Sequence, residues 1–451
     1  MNSLTKKKKK SLKPAQLIFI YYLLAVVVST ILLMLPITLQ PNAKITFIDA
    51  LFTAVSAVSV TGLSTIPINE VLSVPGTIIF AIILQFGGIG LMFLGTTIWL
   101  LMGRRIGIRD RMLIMTDQNL SSFSGIIKLI RNILFLFIIM EVIGGIIFGI
   151  YFLKYFPTWQ EAFLQGFFAA VSAATNAGFD ITGESLVPFA NDYFVLMLTM
   201  VLLIVGAIGF PVLMEVIHFF KHRGKTPYKF SLFTKITTLT FFVLIIIGAI
   251  LIYLCEYNHY FADKTWHEAF FHSLFYSVSS RNGGLSTMEI KEYSTPTLFI
   301  LSILMFIGTS PSSAGGGIRT TTFAIMLMSI YYFANGTTTI KIFKREIATE
   351  DVIKSYIVIA TAMMLCCVST IILTILEPNF SLMEIIFEVA SAFGTVGLSM
   401  GITAKLSIMG KIIIMMLMFI GRIGIFTFLI IMGGNPIKAN YQYPKERIII
   451  G

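Results

Sequence analysis

Charge is what this 451-residue chain has least of: Asp, Glu, Lys and Arg make up 12% of it, about half the share of a soluble domain. That excludes an ordinary cytosolic enzyme, a disordered chain and a coiled coil. Cysteine is scarce too, at three residues. Cys255, Cys366 and Cys367 make no CxxC or Cys/His spacing, two of them are adjacent, and all three read as structural. The five histidines form no HExxH pattern. With no paired intramembrane aspartates and no convincing Ser-His arrangement, an intramembrane enzyme is excluded as well. What fills the chain is apolar: 56% hydrophobic residues, in runs long enough to cross a bilayer. The class is an all-α integral membrane protein.

Five lysines, Lys6 to Lys10, precede the first apolar stretch, and no small-residue cleavage site follows. That stretch, Leu17 to Leu35, makes ~28 Å of helix, enough to span. Residues 1–16 therefore read as a basic cytoplasmic N-terminus before a retained first helix. Seven further spans follow at roughly 76–102, 128–152, 193–219, 235–256, 296–330, 352–376 and 408–432. Between them, near 46–58, 162–174, 268–280 and 383–393, lie four apolar stretches of about twelve residues, too short to cross and so buried or re-entrant. Eight spans put both termini on one side. With that side cytoplasmic, the loops 103–131, 218–235 and 341–354 carry Arg104, Arg105, Lys221, Arg223, Lys341, Lys344 and Arg345. The external loops carry Asp180, Glu184, Asp192, Glu256, Glu289 and Glu377. This positive-inside pattern assigns the net charge of +11 to orientation and to anionic headgroups, and not to nucleic acid.

The four short stretches end alike: AVSAVSVTGL (54–63), AVSAATNAGF (170–179), YSVSSRNGGL (276–285) and VASAFGTVGL (389–398). Each closes on a glycine before Leu or Phe. Gly62, Gly178, Gly284 and Gly397 are spaced 116, 106 and 113 residues apart. Such a period means four tandem units, each a span, a short helix, a glycine loop and a second span: 17–102, 103–219, 220–330 and 331–432, with a tail at 433–451. The second spans carry further glycines at Gly87, Gly206, Gly308 and Gly421, and three continue as Gly-x-Ile-Gly (87–90, 206–209, 421–424), which suits close helix packing. A helix that stops at membrane depth leaves backbone groups that only a wet cavity tolerates. Four such loops about one axis offer a ring of carbonyl oxygens that can replace the hydration shell of a monovalent cation. Glycine adds no side chain to obstruct it.

The sixth span is too long for one straight crossing, because its 35 residues make about 52 Å of helix against ~30 Å of hydrocarbon. It is interrupted by Gly308 and then Thr309, Ser310, Pro311, Ser312, Ser313, Ala314, Gly315, Gly316 and Gly317. Proline removes a helix donor, and three successive glycines cost roughly 1 kcal/mol each. The other three units have no such insertion, so four similar quarters would carry one flap beneath the ring. That asymmetry suits a gate formed by 308–317. Arg422, in the last span, is placed to hydrogen-bond its carbonyls and repel a cation. The alternative is a loop that only fills a cavity and an arginine that only packs the repeat interface. Other charges at membrane depth default to functional hypotheses. Arg319 follows the glycine run, and Arg281 reads as a side chain pinning the third loop from behind. Glu141 reads as a buried hydrogen-bond partner, and Glu215 sits near the inner end of the fourth span.

SVTGL (59–63), FGTVGLSMG (393–401), FIGRIG (419–424) and SPSSAGGGIRTTT (310–322) carry a resemblance. With them, essentially the whole chain resembles the membrane subunit of the Ktr branch of the Trk/Ktr/HKT potassium-transporter superfamily. Trk proteins carry two additional N-terminal spans that this sequence does not show. The resemblance implies four helix–pore-helix–helix repeats around a pseudo-fourfold pore, with eight transmembrane helices and four re-entrant pore helices. It implies a potassium-binding selectivity filter at Val60, Thr61, Gly62, Asn176, Ala177, Gly178, Asn282, Gly283, Gly284, Thr395, Val396 and Gly397. In plant relatives a serine at the first filter glycine goes with sodium permeation; all four positions are glycine here. Further implications are a homodimer in the bacterial plasma membrane, both termini cytoplasmic, with the tail at the subunit interface. A cytosolic RCK-type ring would dock around 104–117, 221–229 and 341–351 and would itself hold the nucleotide, so no cofactor is expected in this chain. The implied function is potassium uptake, with sodium stimulation left open. A less selective potassium/sodium transporter of the same fold is one alternative. Another is a coupled secondary transporter, against which four units and only one broken span are read. The sequence departs from the family pattern in the third loop, where relatives usually read Thr-Pro-Arg-Thr-Ala-Gly-Phe and this chain reads Ser279 to Leu285 with Gly283 as a second glycine. It departs again at Ile425, often proline in relatives.

Overall fold

A computed structural model describes residues 14–90, 107–117, 126–221, 228–337 and 339–433, and the single residues 444, 446 and 448. The lysine run, the far half of the expected span 76–102, Arg104 and Arg105, most of the expected contact loop 221–229 and the tail expected at a dimer interface lie outside the described residues. Helices dominate because a helix satisfies its own backbone groups where water cannot. Among the described residues four unbroken helices are long and apolar enough to cross a bilayer: Pro14–Leu33, Ile127–Phe152, Leu232–Glu256 and Thr349–Leu376. They coincide with the expected spans 17–35, 128–152, 235–256 and 352–376. Their outer faces stay apolar. Leu239, Ile246, Ile250, Leu254, Ile353, Met364, Ile371 and Ile375 are 52–74% exposed, a liability in water that acyl chains remove.

Four shorter helices, Phe47–Ser59, Trp159–Ala174, Trp266–Ser279 and Leu382–Gly394, sit at the expected non-spanning stretches. Each is preceded by a threonine or serine that stands three residues before an acid. Thr46 and Thr158 accept the backbone N–H of Asp49 and Glu161. Thr265 with Glu268 and Ser381 with Glu384 form complete capping boxes. The caps satisfy orphan donors, and the acids oppose the positive end of the helix dipole. The other ends of these helices are buried, with Ser59, Ala174, Ser279 and Gly394 all enclosed.

The expected spans 193–219 and 408–432 are not continuous. Tyr193–Ala207 meets Phe210–Lys221 at 103°, and Ile408–Ile423 meets Ile425–Met432 at 101°. Both breaks fall on the second glycine of Gly-x-Ile-Gly, with φ of 101° at Gly209 and 88° at Gly424. Gly90, the same position in the first motif, has φ 100° and ends the helix Val74–Ile89. The expectation of one broken span is therefore corrected, and the count of broken spans no longer weighs against a coupled transporter. The sixth span differs in degree: Thr295–Ile307 and Thr320–Ala334 are parted by the whole of 308–319. A second departure from purely helical structure is small. Lys341–Ile342 pairs antiparallel with Arg345–Glu346 across Phe343 and Lys344, whose positive φ values of 49° and 61° suit a tight hairpin.

The two break glycines give a graded test. A methyl at Gly209 would lie 2.8 Å from the Pro311 oxygen, whereas one at Gly424 meets nothing within 4 Å. Gly424→Ala is expected to cost only the backbone strain, about 1 kcal/mol, and Gly209→Ala about 1–3 kcal/mol more. Thermal unfolding in detergent measures both, and equal midpoints for the two variants would contradict the packing described.

Candidate functional site

Beyond each short helix the chain makes a similar turn. Its first residue is left-handed, with φ of 58° at Val60, 57° at Asn176, 90° at Asn282 and 52° at Thr395. The glycine two residues on is also positive, at 93° for Gly62, 69° for Gly178, 66° for Gly284 and 99° for Gly397. Left-handed non-glycine residues need surroundings that hold them. Hydrogen bonds back to the helix end do so: Thr61 N–H to Ser56 O (2.8 Å), Ala177 N–H to Ser172 O (2.8 Å) and Val396 N–H to Ser391 O (2.9 Å). The third turn is one residue tighter, with Gly283 N–H reaching Ser279 O at 2.6 Å. A side chain at 283 would stand 2.7 Å from the Ser279 Cα. The second glycine of the third loop is what this tighter turn requires.

The four turns meet. A methyl on Gly62 would lie 2.8 Å from the Ala177 oxygen and 3.0 Å from the Gly178 Cα; one on Gly178 would lie 2.9 Å from the Gly284 Cα. One on Gly284 would press on Val396 O and come within 3.4 Å of the Gly397 Cα; one on Gly397 would press on Thr61 O and come within 3.0 Å of the Gly62 Cα. The contacts thus close into a ring that holds Val60, Thr61, Gly62, Asn176, Ala177, Gly178, Asn282, Gly283, Gly284, Thr395, Val396 and Gly397 together. Each turn follows a helix C-terminus, where the dipole is negative, so the ring favours positive charge.

Against the ring lies Gly308–Arg319. Thr309 N–H bonds Gly316 O at 3.2 Å and Thr320 N–H bonds Thr309 O at 3.0 Å, folding the segment on itself. Ser313 Oγ bonds Thr309 Oγ1 at 2.9 Å and Ser310 O at 2.7 Å. On one side Ser310 N–H donates to Ala207 O (3.2 Å), Ala314 N–H to Gly206 O (3.1 Å) and Phe210 N–H to Ser312 O (2.7 Å). These backbone groups belong to the chain around the break at Gly209. On another side Arg422, 8% exposed, donates through Nη1 to Ala314 O and through Nη2 to Gly87 O and Gly88 O. Arg319 donates to Thr309 Oγ1 at 3.0 Å, Ser310 O at 3.4 Å and Gly315 O. Thr309 to Gly317 and Arg422 therefore form one cluster, buried except at Pro311, which is half-buried.

Arg281 is buried, with Nη1 on Leu304 O at 3.2 Å and its guanidinium 6.0 Å from the Phe241 ring centroid. It ties the third turn to the helix behind it. Glu141 accepts from Gln85 Nε2 on Val74–Ile89, and Glu215 accepts Ser231 N–H at 3.0 Å. Sequence reasoning missed Glu388. It is fully buried and accepts from Ser399 Oγ at 2.8 Å and from Thr403 Oγ1, holding the chain that leaves the fourth turn. Its signal was an acid inside the apolar stretch 383–393. Missed too was the Ser/Thr-x-x-Asp/Glu cap shared by all four short helices.

A family model described as TrkH, cation transport protein, matches residues 4–436. The chain is 57% identical, over 98% of both chains, to Ktr system potassium uptake protein D of Bacillus subtilis. It is 34% identical, over 100% of both, to the potassium/sodium uptake protein NtpJ of Enterococcus hirae. It is similar in fold to the crystal structure of the potassium transporter TrkH from Vibrio parahaemolyticus, with TM-score 0.74 and 18% identity over 96% of this chain and 87% of that one.

Arg422 bridges the Ala314 carbonyl of the 308–319 segment to the Gly87 and Gly88 carbonyls of the helix Val74–Ile89, which a planar fork can do and a single ammonium cannot. Arg422→Lys is expected to lose nearly as much stability as Arg422→Ala, roughly 1.5–3 kcal/mol. Denaturation in detergent reads this, and a lysine variant as stable as the parent would contradict the bridging role.

Proposed function

The chain belongs to the TrkH family of cation transport proteins, membrane transporters and not enzymes, and from that footing we propose that it takes up potassium ions through the ring of four glycine turns. The observation that carries the proposal is the closed contact of Gly62, Gly178, Gly284 and Gly397, each just beyond a helix C-terminus. In this reading the units 17–102, 103–219, 220–330 and 331–432 surround a pseudo-fourfold pore, and the short helices are its pore helices. The carbonyls of 60–62, 176–178, 282–284 and 395–397 replace the ion's water. The name of the relative at 57% identity supports potassium as the substrate. The name of the relative at 34% supports a second reading, in which sodium passes as well.

The segment Thr309–Gly317, with Arg422, is the gate. Seated against the ring, it blocks the path and presents a guanidinium charge to an approaching cation. The word "system" in the name of the Ktr relative supports a further subunit. In this reading that subunit is a cytosolic RCK-type ring, which holds the nucleotide and docks on 104–117, 221–229 and 341–351. Two copies of this chain pair in the plasma membrane through the C-terminal tail, with both termini cytoplasmic.

Proteoliposome flux tests selectivity. The parent should pass potassium well ahead of sodium, and Gly62→Ser should lower that preference by about tenfold, or 1.4 kcal/mol, because the added side chain starts 2.8 Å from the Ala177 oxygen. Equal potassium and sodium permeability in the parent would overturn the filter. Shortening Ser310–Gly316 should raise potassium flux and loosen its dependence on the cytosolic partner. Unchanged, fully regulated flux in a folded, dimeric variant would overturn the gate.

A further inference from the structure

The side chain of Asn282 does more than its place in the ring requires. It is fully buried, and its carboxamide meets four partners from distant parts of the chain. Nδ2 donates to Asn176 O at 3.2 Å and, at a longer 3.5 Å, to Val60 O. Oδ1 accepts the Gly316 N–H at 3.2 Å and the Thr395 hydroxyl at 2.9 Å. The partners fix which end is nitrogen: carbonyl oxygens only accept, and a backbone N–H only donates. A carboxamide is the one side-chain group that is neutral, planar and able to give two donors on one edge and an acceptor on the other. Asn176, at the corresponding position of the second turn, sends its Nδ2 away to Leu203 O at 3.2 Å, so an inward carboxamide is not imposed by the turn.

Val60 O and Asn176 O belong to the first residues of their turns, and on the transport reading above they are ligands for the ion. The N–H edge of Asn282 carries the positive end of the amide dipole and sits on those same oxygens. A cation and Nδ2 compete for them, because the partly positive N–H edge repels an ion brought to the same oxygens. The far edge of the same group is held by Gly316, a residue of the proposed gate. We propose that Asn282 is a positioning residue that couples the gate to the ring. With the 308–317 segment seated, Gly316 and Thr395 orient the carboxamide so that its N–H edge engages the Asn176 and Val60 carbonyls in place of the ion. When the segment withdraws Gly316, the carboxamide turns and the carbonyls pass to the ion. Gate and filter then open as one event.

The test is rubidium influx into proteoliposomes carrying the full chain, for Asn282→Asp, Asn282→Ala, the loop-shortened protein and Asn282→Ala in that background. Asn282→Asp keeps an acceptor for Gly316 and puts a carboxylate oxygen where the donor edge was. Its unregulated flux should rise by about threefold or more, and its half-saturating rubidium concentration should fall. Asn282→Ala should raise flux in the parent and add almost nothing in the loop-shortened protein, because the two act in series. A merely structural asparagine would lower flux and melting temperature together and leave half-saturation unmoved, which would overturn the proposal. So would fully multiplicative effects of Asn282→Ala and loop shortening. Should the alanine variant fail to fold, the isosteric aspartate variant decides alone. Flat variants in a potassium-selective parent overturn the coupling only, whereas a parent that does not discriminate overturns the transport reading beneath it.

Discussion

A backbone N–H or C=O left without a partner away from water costs several kcal/mol, and this chain repeatedly ends helices inside its own apolar interior. Helices stop after Ser59, Ala174, Ser279 and Gly394, and again at Gly90, Gly209, Gly308 and Gly424. Each stop exposes carbonyls that must be answered. The turns answer some with their own N–H groups, as Thr61 does for Ser56 and Val396 for Ser391. The 308–319 segment answers Gly206 and Ala207, and Arg422 answers Gly87, Gly88 and Ala314. The position of the segment thus follows from the orphan groups that the broken helices present. A movement of the segment must hand those groups to water.

The same excess of carbonyl oxygen explains how arginine is tolerated at this depth. A guanidinium has five donors and no acceptor. Arg422 and Arg281 take main-chain carbonyls as partners. An interior built from helix C-termini is negative in potential without containing many acids. It holds a fixed cation on a side chain, and on the proposed transport reading it would hold a mobile one as well. Arg422 and a transported ion would then draw on one field, which is the physical content of the proposed charged gate.

Much of this was legible in sequence. The four short helices announce themselves by length, and their turns by VTGL, NAGF, NGGL and TVGL. The interruption of the sixth span announces itself by Pro311 and three consecutive glycines. The breaks at Gly209 and Gly424 did not, because one glycine between two apolar helical runs is compatible with a straight helix until its φ is known. Glu388 passed unremarked because an acid in an apolar helix has no meaning until Thr403 and Ser399 are brought to it. Asn282 is the extreme case: its partners Val60 and Thr395 are 222 and 113 residues away, and no local pattern encodes such a pairing. The side chain's chemistry can be read from its letter, but the company it keeps comes only from the closure of the ring.

The central claim is that the four glycine turns bind a dehydrated monovalent cation on their common axis. Anomalous diffraction from crystals of the protein grown in rubidium or thallium tests it most directly. Peaks on the axis between Gly62, Gly178, Gly284 and Gly397, within carbonyl-ligand distance of all four turns and lost on exchange into sodium, are the predicted result. Ordered heavy cations bound elsewhere in the chain, with none at the ring, would contradict it.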